Sequence, residues 1–355
     1  MNSDLAKQFQ VEAVKTLEYE RQLWQSRYSP CGKYLVACAF DATIQRWNVE
    51  AEEPKPLKSM NGHNGWLQCF GFQTSRKHVI TADSWGKLLC RPYEEDDPKE
   101  VWSVEEAHDG WIRCLAISPN GELVATGGND AFVRIWNSAD GKLVKEFKHD
   151  QRIFSVCFHP TKNVLFAGDL HGVVHQRNLD DEKIERTFDA KVLYQHHRIQ
   201  ECGGARHLQT DAEGKTLICA GMKTPSGGFG TGTPTVLLFD CETGKQTEEL
   251  TLGPNNAGFI YDAVFHPAGF IMSAGGAFPG SGQLSFWKPG EKAAFLSDKK
   301  IANGRSISLH PDGKRLAVTI SNSRNANGRP LQDGKYIGGK GVIHLLKFKA
   351  AEEKA

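Results

Sequence analysis

A segment of about 40 residues recurs along this chain, and one copy is more complete than the others. That copy contains Ala107–Trp111, the turn Ser118–Gly121, the pair Asn129–Asp130 and the run Arg134–Asn137. Copies of this length fold as single units that stack and share one continuous core. The repeat therefore outweighs the length of 355 residues, which alone would suggest about two domains.

Seven similar turns mark the copies. Each turn follows the first strand of its unit, and successive turns are about 40 to 55 residues apart. The seven turns are Ser29–Gly32, Gln73–Arg76, Ser118–Gly121, His159–Lys162, Asp211–Gly214, His266–Gly269 and His310–Gly313.

Each unit contains four short runs of β-branched and apolar residues, bounded by Gly, Asn, Asp or Pro as strands and tight turns require. Helical periodicity is essentially absent. Four strands in about 40 to 45 residues is the spacing of a propeller blade. The sequence therefore predicts an all-β fold, a seven-bladed β-propeller of four-stranded antiparallel blades. In the third unit the runs are Trp111–Ile117, Leu123–Thr126, Phe132–Trp136 and Leu143–Phe147.

The last unit has only three strands of its own. Its third strand is Val342–Phe348, and a charged tail, residues 349–355, follows directly. An unassigned strand-like stretch, Gln10–Leu17, precedes the first unit. We expect this N-terminal strand to pair as the outer strand of the last blade, which closes the ring and protects a sheet edge. The prediction is a single domain over residues 1–355, with seven repeats at about 18–348.

The chain resembles WD-repeat proteins of the G-protein β-subunit type from about residue 10 to residue 348. The resemblance rests jointly on Gly62-His63, the Ser-Pro-x-Gly turns and the run Arg134–Asn137. The tryptophan that this family has in the third strand is kept in three units, as Trp47, Trp136 and Trp287. In the other four units it is replaced by Arg91, Arg177, Phe239 and Leu346.

His108, Thr126, Asp130 and Trp136 invite comparison with a hydrolase, because an imidazole, a hydroxyl and a carboxylate occur close together. The resemblance implies a different role. In a WD-repeat blade the carboxylate accepts from the histidine ring, the histidine bonds the hydroxyl, and the hydroxyl accepts the indole N–H. We therefore expect these four residues to form a structural hydrogen-bond network that satisfies buried polar groups.

The other units depart from this network. Unit one has Tyr19 in the histidine position, beside Asp41, and units two and four have Trp85 and His171 in the carboxylate position. We therefore expect His63 and His149 to lack a carboxylate partner, and the third unit alone to contain the full network.

Two sets of positions are expected to surround the central opening on one face, which we call the top. The first set, the mouth ring, lies six residues before the second residue of each turn. Its members are Trp24, Gln68, Arg113, Phe154, Arg206, Tyr261 and Arg305. Two positions earlier lie Gln22, Trp66, Trp111, Arg152, Gly204, Phe259 and Asn303. Arginine and aromatic residues dominate interface energetics, so these positions predict a docking surface. The alternative is that Trp66 and Trp111 pack between blades.

Connections on the same face are enlarged in units five to seven, and long loops in a compact scaffold are commonly functional. The alternative is tolerated drift of surface loops. The enlarged segments are 222–234, 276–282 and 322–341, and Lys191–Ala205 is a long connection into unit five. They bring Lys223, Arg324, Arg329, Lys335 and Lys340 against few acids, chiefly Asp333, which predicts a basic mouth.

These observations predict a non-catalytic scaffold or adaptor that presents its top face to a protein or peptide carrying an acidic or anionic group. We expect no cofactor and no metal, and a monomeric ring that joins larger complexes. One alternative is a propeller enzyme or metal site that uses His196, His197 and His207 with the central channel. Another is a nucleic-acid-associated propeller, although a net charge of +1 gives no global reason for a polyanion or membrane partner.

The sequence favours a cytoplasmic protein, with the nucleus as the alternative location. Met1–Gln10 is polar and lacks the apolar stretch of a secretory signal, and no window approaches a membrane span. The nine cysteines form no Cys-x-x-Cys pair, and six of them lie in strand-like runs. We expect free, buried thiols, as in a reducing compartment.

Overall fold

Strands joined by tight turns make up most of the computed structural model. It describes residues 2–196, 201–223, 232–276, 281–321, 331–332, 335–336 and 340–349. Seven antiparallel sheets of four strands form the blades of a β-propeller, as predicted. Within each blade the strands run outward from the central channel, and we number the blades in chain order.

Blade 1 contains Leu23–Tyr28, Tyr34–Ala39, Ile44–Asn48 and Lys55–Pro56. Blade 2 contains Leu67–Gln73, His78–Asp83, Leu88–Pro92 and Trp102–Val104. Blade 3 contains Ile112–Ile117, Leu123–Gly128, Phe132–Asn137 and Leu143–Lys148. Blade 4 contains Ile153–Phe158, Val164–Asp169, Val173–Asn178 and Ile184–Asp189.

Blade 5 contains His207–Thr210, Thr216–Lys223, Thr233–Asp240 and Gln246–Thr251. Blade 6 contains Phe259–His266, Phe270–Gly276, Leu284–Trp287 and Leu296–Asp298. Blade 7 contains Gly304–Leu309, Arg315–Ser321, Gly341–Phe348 and the N-terminal strand Val11–Tyr19. Two small hairpins lie outside the blades, Tyr194–His196 with Glu201–Gly203 and Leu331–Gln332 with Lys335–Tyr336. Two single 3₁₀ turns are Thr74–Arg76 and Lys191–Leu193.

The N-terminal strand closes the ring, as predicted. Val11–Tyr19 pairs antiparallel with Gly341–Phe348, with Leu17 opposite Ile343. Leu17 and Ile343 are both buried in the apolar cluster between blades 7 and 1. The pairing covers the outer edge of Gly341–Phe348, so Val11–Tyr19 is the outermost strand of the last blade, and it ends two residues later than Gln10–Leu17.

A short helix, Asn2–Gln8, precedes this strand. This helix is not predicted from the sequence, because seven residues are too few to show a helical period. Leu5 of the helix and Phe9, which follows it, pack on the core between blades 6 and 7. The Phe9 ring lies 4.7 Å from Phe270 and 5.2 Å from Phe348. Two apolar residues in the otherwise polar N-terminal segment thus attach it to the core. No described helix has the length and apolar character needed to cross a bilayer.

The core lies between neighbouring blades. The second strand of blade 4 is buried at all its positions, because it is covered on both faces by adjacent sheets. All eight described cysteines are free, and five of the six expected in strands are buried while Cys157 is partly so. Burial raises the pKa of the Cys69 thiol to about 12, which keeps that thiol protonated and unreactive.

The first residue of each turn on the bottom face sets how neighbouring blades are joined. Where it is long, it reaches the turn of the next blade. Nε2 of Gln73, His266 and His310 bonds the carbonyl oxygen of Gly121, Gly313 and Gly32, respectively, at 3.0 to 3.1 Å. Where it is short, as in Ser29 and Ser118, its hydroxyl accepts a backbone N–H of its own turn.

Candidate functional site at the top of the propeller

All seven residues of the mouth ring line one central cavity of about 230 Å³. Each lies at the start of an innermost strand, and every blade contributes one. The cavity continues downward past Gln25, Arg27, His207 and Asp262. The ring of blades thus brings together residues that are up to 281 positions apart in the chain, from Trp24 to Arg305.

A β-bulge places each of these side chains in six of the seven blades. The pairing with the second strand shifts register at the mouth-ring residue, so that residue has no ladder partner. In blade 2, for example, Leu67 pairs with Asp83 and Cys69 with Ala82, which leaves Gln68 unpaired. Bulges re-aim a side chain, and here they keep the alternate residues buried between blades. The same shift occurs at Trp24, Arg113, Phe154, Tyr261 and Arg305.

Aromatic rings form an arc over blades 1 to 3. Trp24 stacks on Phe40 at 5.5 Å between ring centroids, and Phe40 stacks on Trp66 at 5.3 Å. Trp66 contacts Trp111 edge to face at 5.7 Å. Trp66 and Trp111 thus pack across blade boundaries, as the alternative reading expected, but Trp66 also remains 40% exposed.

Arginines continue the arc over blades 3 to 5. The guanidinium carbon of Arg113 lies 3.7 Å from the Trp111 ring centroid and 5.6 Å from that of Phe154. The guanidinium carbon of Arg206 lies 3.9 Å from Phe154 and 5.3 Å from Phe259. Such contacts between a cation and an aromatic face hold each guanidinium group in place.

The circle closes through blades 6, 7 and 1. Phe259 contacts Tyr261 at 5.4 Å, and Tyr261 contacts Trp24 at 5.5 Å. Arg305 lies over both Tyr261 and Trp24, at 4.4 and 4.9 Å. We call this closed series of rings and guanidinium groups the aromatic–arginine belt. Gln68 and Arg152 lie beside the belt, and Arg152 is exposed.

Positive charge is concentrated at the belt. Burial, together with the neighbouring cations Arg206 and Arg152, lowers the pKa of Arg113 to about 10. Arg113 is held by neutral acceptors, with Oδ1 of Asn129 at 2.9 Å and Oε1 of Gln68 at 3.5 Å. Nε of Arg305 is buried and has no hydrogen-bond partner among the described residues. A bound anion would therefore relieve repulsion and supply missing acceptors.

One carboxylate, Asp262, is found among the described residues that line the cavity. Arg27 lies 2.7 Å from Asp262 Oδ2, which also accepts the N–H of Ile307 at 3.0 Å. Nδ1 of His207 lies 3.4 Å from the other carboxylate oxygen. This buried carboxylate lies where blades 1, 5, 6 and 7 meet below the belt. Its Oδ2 is bonded by Arg27 and by the N–H of Ile307, whereas its Oδ1 has no hydrogen-bond partner among the described residues.

The metal candidates are not brought together in the described part of the chain. His196 is exposed on the small hairpin, whereas His207 lies in the channel and donates to the carbonyl oxygen of Ala263 at 2.7 Å. His197 and the side chain of Cys202 lie outside the described residues. No group of three or more His, Cys, Asp or Glu that could hold a metal occurs among the residues searched, which are the described ones.

The enlarged connections are described only in part. Residues 224–231, 277–280, 322–330, 333–334 and 337–339 lie outside the described residues, and Arg324, Arg329 and Asp333 are among them. The described cations Lys223 and Lys340 are paired with Glu249 and Glu18, so neither contributes a free charge to the mouth. In the connection into blade 5, Tyr194 donates to Glu201 at 2.8 Å and its ring packs on His171.

Two residues of the top face were missed by sequence reasoning. Phe40 completes the aromatic arc, and Trp85 is 69% exposed. Each lies in the connection between the second and third strands of its blade, Phe40 in blade 1 and Trp85 in blade 2. Backbone hydrogen bonds place both residues there. The N–H of Phe40 donates to the carbonyl oxygen of Gln22, and the N–H of Ser84, which precedes Trp85, donates to that of Trp66. Those two acceptors belong to the second set of predicted positions.

The four residues singled out in blade 3 form a continuous hydrogen-bond chain. Nδ1 of His108 lies 2.9 Å from Oδ1 of Asp130, and Nε2 lies 2.8 Å from Oγ1 of Thr126. The indole N–H of Trp136 donates to the same hydroxyl at 2.8 Å. The chain is buried and lies away from the cavity lining, so it stabilises the blade and is not exposed to a substrate.

The expectation that His63 lacks a carboxylate partner is wrong. Nδ1 of His63 lies 3.0 Å from Oδ2 of Asp83, and Nε2 lies 2.7 Å from Oγ1 of Thr81. The spacing misled the prediction, because the carboxylate comes from the last residue of the second strand and not from the turn position held by Trp85. Blade 3 alone adds the indole donor, since Arg91 occupies that position in blade 2.

Tyr19 substitutes for the histidine in blade 1. Its hydroxyl donates to Oδ2 of Asp41 at 2.6 Å. Burial, together with this hydrogen bond to a carboxylate, raises the pKa of Tyr19 to about 12. Because Tyr19 belongs to the N-terminal strand, this bond also ties the closing strand to the first blade.

Comparison with known proteins agrees with this architecture. The family profile described as WD domain, G-beta repeat matches residues 13–48, 99–137 and 141–176. The second matched segment contains the most complete copy of the repeat. The first begins in the closing strand and ends in the third strand of blade 1.

Three relatives show the range of the similarity. The small ribosomal subunit protein RACK1y of Oryza sativa is 27% identical over 174 residues, which cover 44% of this chain and 45% of that protein. The nuclear distribution protein PAC1 of Arthroderma otae is 24% identical over 193 residues, 48% of this chain and 42% of that protein. Telomerase protein component 1 of Rattus norvegicus is 25% identical over 307 residues, 82% of this chain but 10% of that protein.

The match thus spans less than half the length of RACK1y or PAC1. The chain has three segments that match the WD-domain profile, seven four-stranded blades and a ring closed by the N-terminal strand, and in these features it is similar to WD-repeat β-propeller proteins.

Proposed function

We propose that this protein is a non-catalytic scaffold whose top face docks a partner protein or peptide that carries an acidic or anionic group. The observation that carries the proposal is the aromatic–arginine belt. Seven blades each place one mouth-ring residue on it or beside it, and in six of these blades a bulge aims the side chain at the central cavity.

Residue chemistry supports docking at this face. Tryptophan, tyrosine and arginine are the residues most often found to dominate binding energy at interfaces. The belt contains all three, and Trp66 and Arg152 are exposed beside Trp85 on the same side of the ring. Because the rings and guanidinium groups already contact one another, a partner would meet an ordered surface at a smaller entropic cost.

Binding fits the channel better than catalysis does. A hydrolytic or acid–base site needs a titratable group within reach of a bound substrate. Asp262 is buried, and its Oδ2 is bonded by Arg27 and by the N–H of Ile307, while His207 donates its Nε2–H to a backbone carbonyl. The charged side chains of the mouth ring are three arginines, which bind oxyanions.

We further propose that the ring acts as a monomer within a larger assembly in the cytoplasm. By name, RACK1y is a protein of the small ribosomal subunit, and PAC1 is a nuclear distribution protein. Similarity to such proteins supports a role in assembly and leaves the partner of this chain open.

An affinity capture tests the proposal. Wild-type protein, an Arg113→Glu/Arg305→Glu variant and an Arg76→Glu control are compared by quantitative mass spectrometry. Arg76 is exposed in the turn Thr74–Arg76 on the bottom face, so the control makes the same kind of charge change away from the belt. We expect partners that the wild type and the control capture and the double variant loses. Partners retained by a folded double variant would place the docking site elsewhere.

A further inference from the structure

We propose that the mouth recognises a linear protein segment in which an acidic side chain and a large apolar side chain lie within two residues of each other. This proposal rests on the proposed function and specifies the partner's chemistry. The acidic group enters the arc of Arg113 and Arg206, with Arg152 at its rim. The apolar group packs on Trp66 and Trp85. We call these the anionic subsite and the apolar subsite.

The anionic subsite presents N–H edges to the cavity. A guanidinium group that stacks on a ring uses its flat face, and its N–H donors lie in the plane of the group. Arg113 is stacked on Trp111 in this way and uses one donor on Asn129. A carboxylate can accept two N–H bonds from such an edge. The close cations Arg206 and Arg152, which lower the pKa of Arg113, favour an anion here.

The apolar subsite is exposed, and side-chain hydrogen bonds hold its backbone. The N–H of Trp66 donates to Oγ of Ser84 at 2.9 Å, and that of Trp85 donates to Oδ1 of Asp83 at 2.9 Å. Asp83 is fully buried and also bonds His63. Trp66 stacks on Phe40 with an interplanar angle of 4°. Two exposed indoles on neighbouring connections of blade 2 form an apolar surface that a partner can cover without reordering it.

Trp111 sets the spacing between the subsites. Its ring lies 5.7 Å from that of Trp66 and 3.7 Å from the guanidinium carbon of Arg113. An extended peptide advances about 3.3 Å per residue, and residues i and i+2 point to the same side. Side chains two positions apart in a bound segment therefore reach both subsites.

The surrounding charges favour one acidic group over a polyanion. Two exposed carboxylates lie at the top. Asp109 is two residues before Trp111 of the belt, and Asp150 is two residues before Arg152, which lies beside the belt. A nucleic-acid strand would bring several phosphates against these carboxylates. A protein segment with a single negative charge can bind the arginines without bringing charge close to these carboxylates.

A random linear peptide library displayed on phage, selected on the full-length protein, tests the proposal. Enriched peptides are synthesised, and their affinities are measured for wild type, Arg113→Gln and Trp66→Ala. Matched controls are Arg76→Gln and Leu143→Ala, because Leu143 is an exposed apolar residue on the outer strand of blade 3. Thermal unfolding of each variant establishes that it is folded, and Arg113→Lys substitutes if Arg113→Gln is not.

We expect enriched peptides with Asp or Glu within two residues of Trp, Phe or Leu. Their affinity should fall about tenfold or more for each mouth variant and stay unchanged for both controls. Enriched peptides without an acid, or affinities equal across the folded variants, would overturn this inference. If the affinity capture still depended on Arg113 and Arg305, the proposed function would survive that failure. Competition by a single-stranded oligonucleotide with steep salt dependence would instead support nucleic acid and contradict the proposal.

Discussion

Nε2 of His310 in blade 7 lies 3.0 Å from the carbonyl oxygen of Gly32 in blade 1, so one side chain joins the two ends of the ring. Nδ1 of the same ring accepts the N–H of Asp312 at 3.0 Å. Gln73 makes the equivalent bond to Gly121, also at 3.0 Å, which shows that an amide serves the same purpose.

Two replacements of His310 test whether the hydrogen bond from its side chain to Gly32 stabilises the ring. We expect His310→Ala to lower the free energy of unfolding by about 1–2 kcal/mol, because a buried carbonyl loses its donor. His310→Gln should lose much less, since Gln73 makes the same bond in blade 2. Urea unfolding at neutral pH measures both. Equal losses for the two variants would mean that the bond between blades 7 and 1 does not contribute.

Deleting residues 1–18 should destabilise the whole ring. The deletion removes the outer strand of blade 7 and the buried side chains of Phe9 and Leu17. Loss of two such apolar groups alone should cost at least about 4 kcal/mol. A deletion of residues 1–7 keeps Phe9 and the strand and serves as the control, with a much smaller expected loss. An unchanged melting temperature after the longer deletion would contradict the account of ring closure.

Asp130 and Asp83, the carboxylates that bond His108 and His63, should contribute similarly to the free energy of unfolding. Asp130→Ala should cost about 2–4 kcal/mol, because it leaves buried His108 without its partner. Asp83→Ala should cost at least as much, since Asp83 is fully buried and also bonds the backbone of Trp85 and Lys87. Asp150→Ala, at an exposed site, is the control and should be close to neutral. Denaturant unfolding of all three variants measures these losses. A negligible loss for Asp83→Ala would mean that the network in blade 2 does not stabilise the protein.

Stability should fall as the solution is acidified below about pH 6.5. Burial, with His175 and Arg177 nearby, lowers the pKa of His149 to about 4, whereas the unfolded chain has an ordinary histidine pKa near 6.5. The unfolded state therefore binds more protons between these values, and folding loses up to about 1.4 kcal/mol per pH unit from this group. His149→Phe should reduce the slope of stability against pH between 6.5 and 4.5. An identical slope would show that His149 titrates normally in the folded protein.

Much of the fold was predictable because it depends on local signals. The turn residues recur at a regular spacing, and the β-rich runs between them fix the number of strands. The third-strand positions also aligned correctly, since Trp47, Arg91 and Trp136 each pair with the same position of their second strand, at Leu35, Val79 and Val124. Closure by the N-terminal strand followed from counting strands in the last unit.

The features that were missed depend on contacts between blades or on exact backbone placement. Phe40 becomes part of the site only because blade 2 packs on blade 1, which stacks the Phe40 ring between Trp24 and Trp66. Asp83 reaches His63 from a strand end, which a fixed spacing measured from His108 and Asp130 did not anticipate. The bulges that aim the mouth-ring residues have no marker in a single sequence, since Gln68 and Arg113 differ in type but occupy the same bulged position.

The dissociation constant of a partner measures directly whether the belt is the docking surface. A partner purified after affinity capture is titrated calorimetrically into wild type, Arg113→Gln/Arg305→Gln and the bottom-face control Arg76→Gln. We expect Kd to rise about a hundredfold for the double variant and to stay unchanged for the control. An unchanged Kd for a double variant with the melting temperature of the wild type would mean that the partner docks away from the belt.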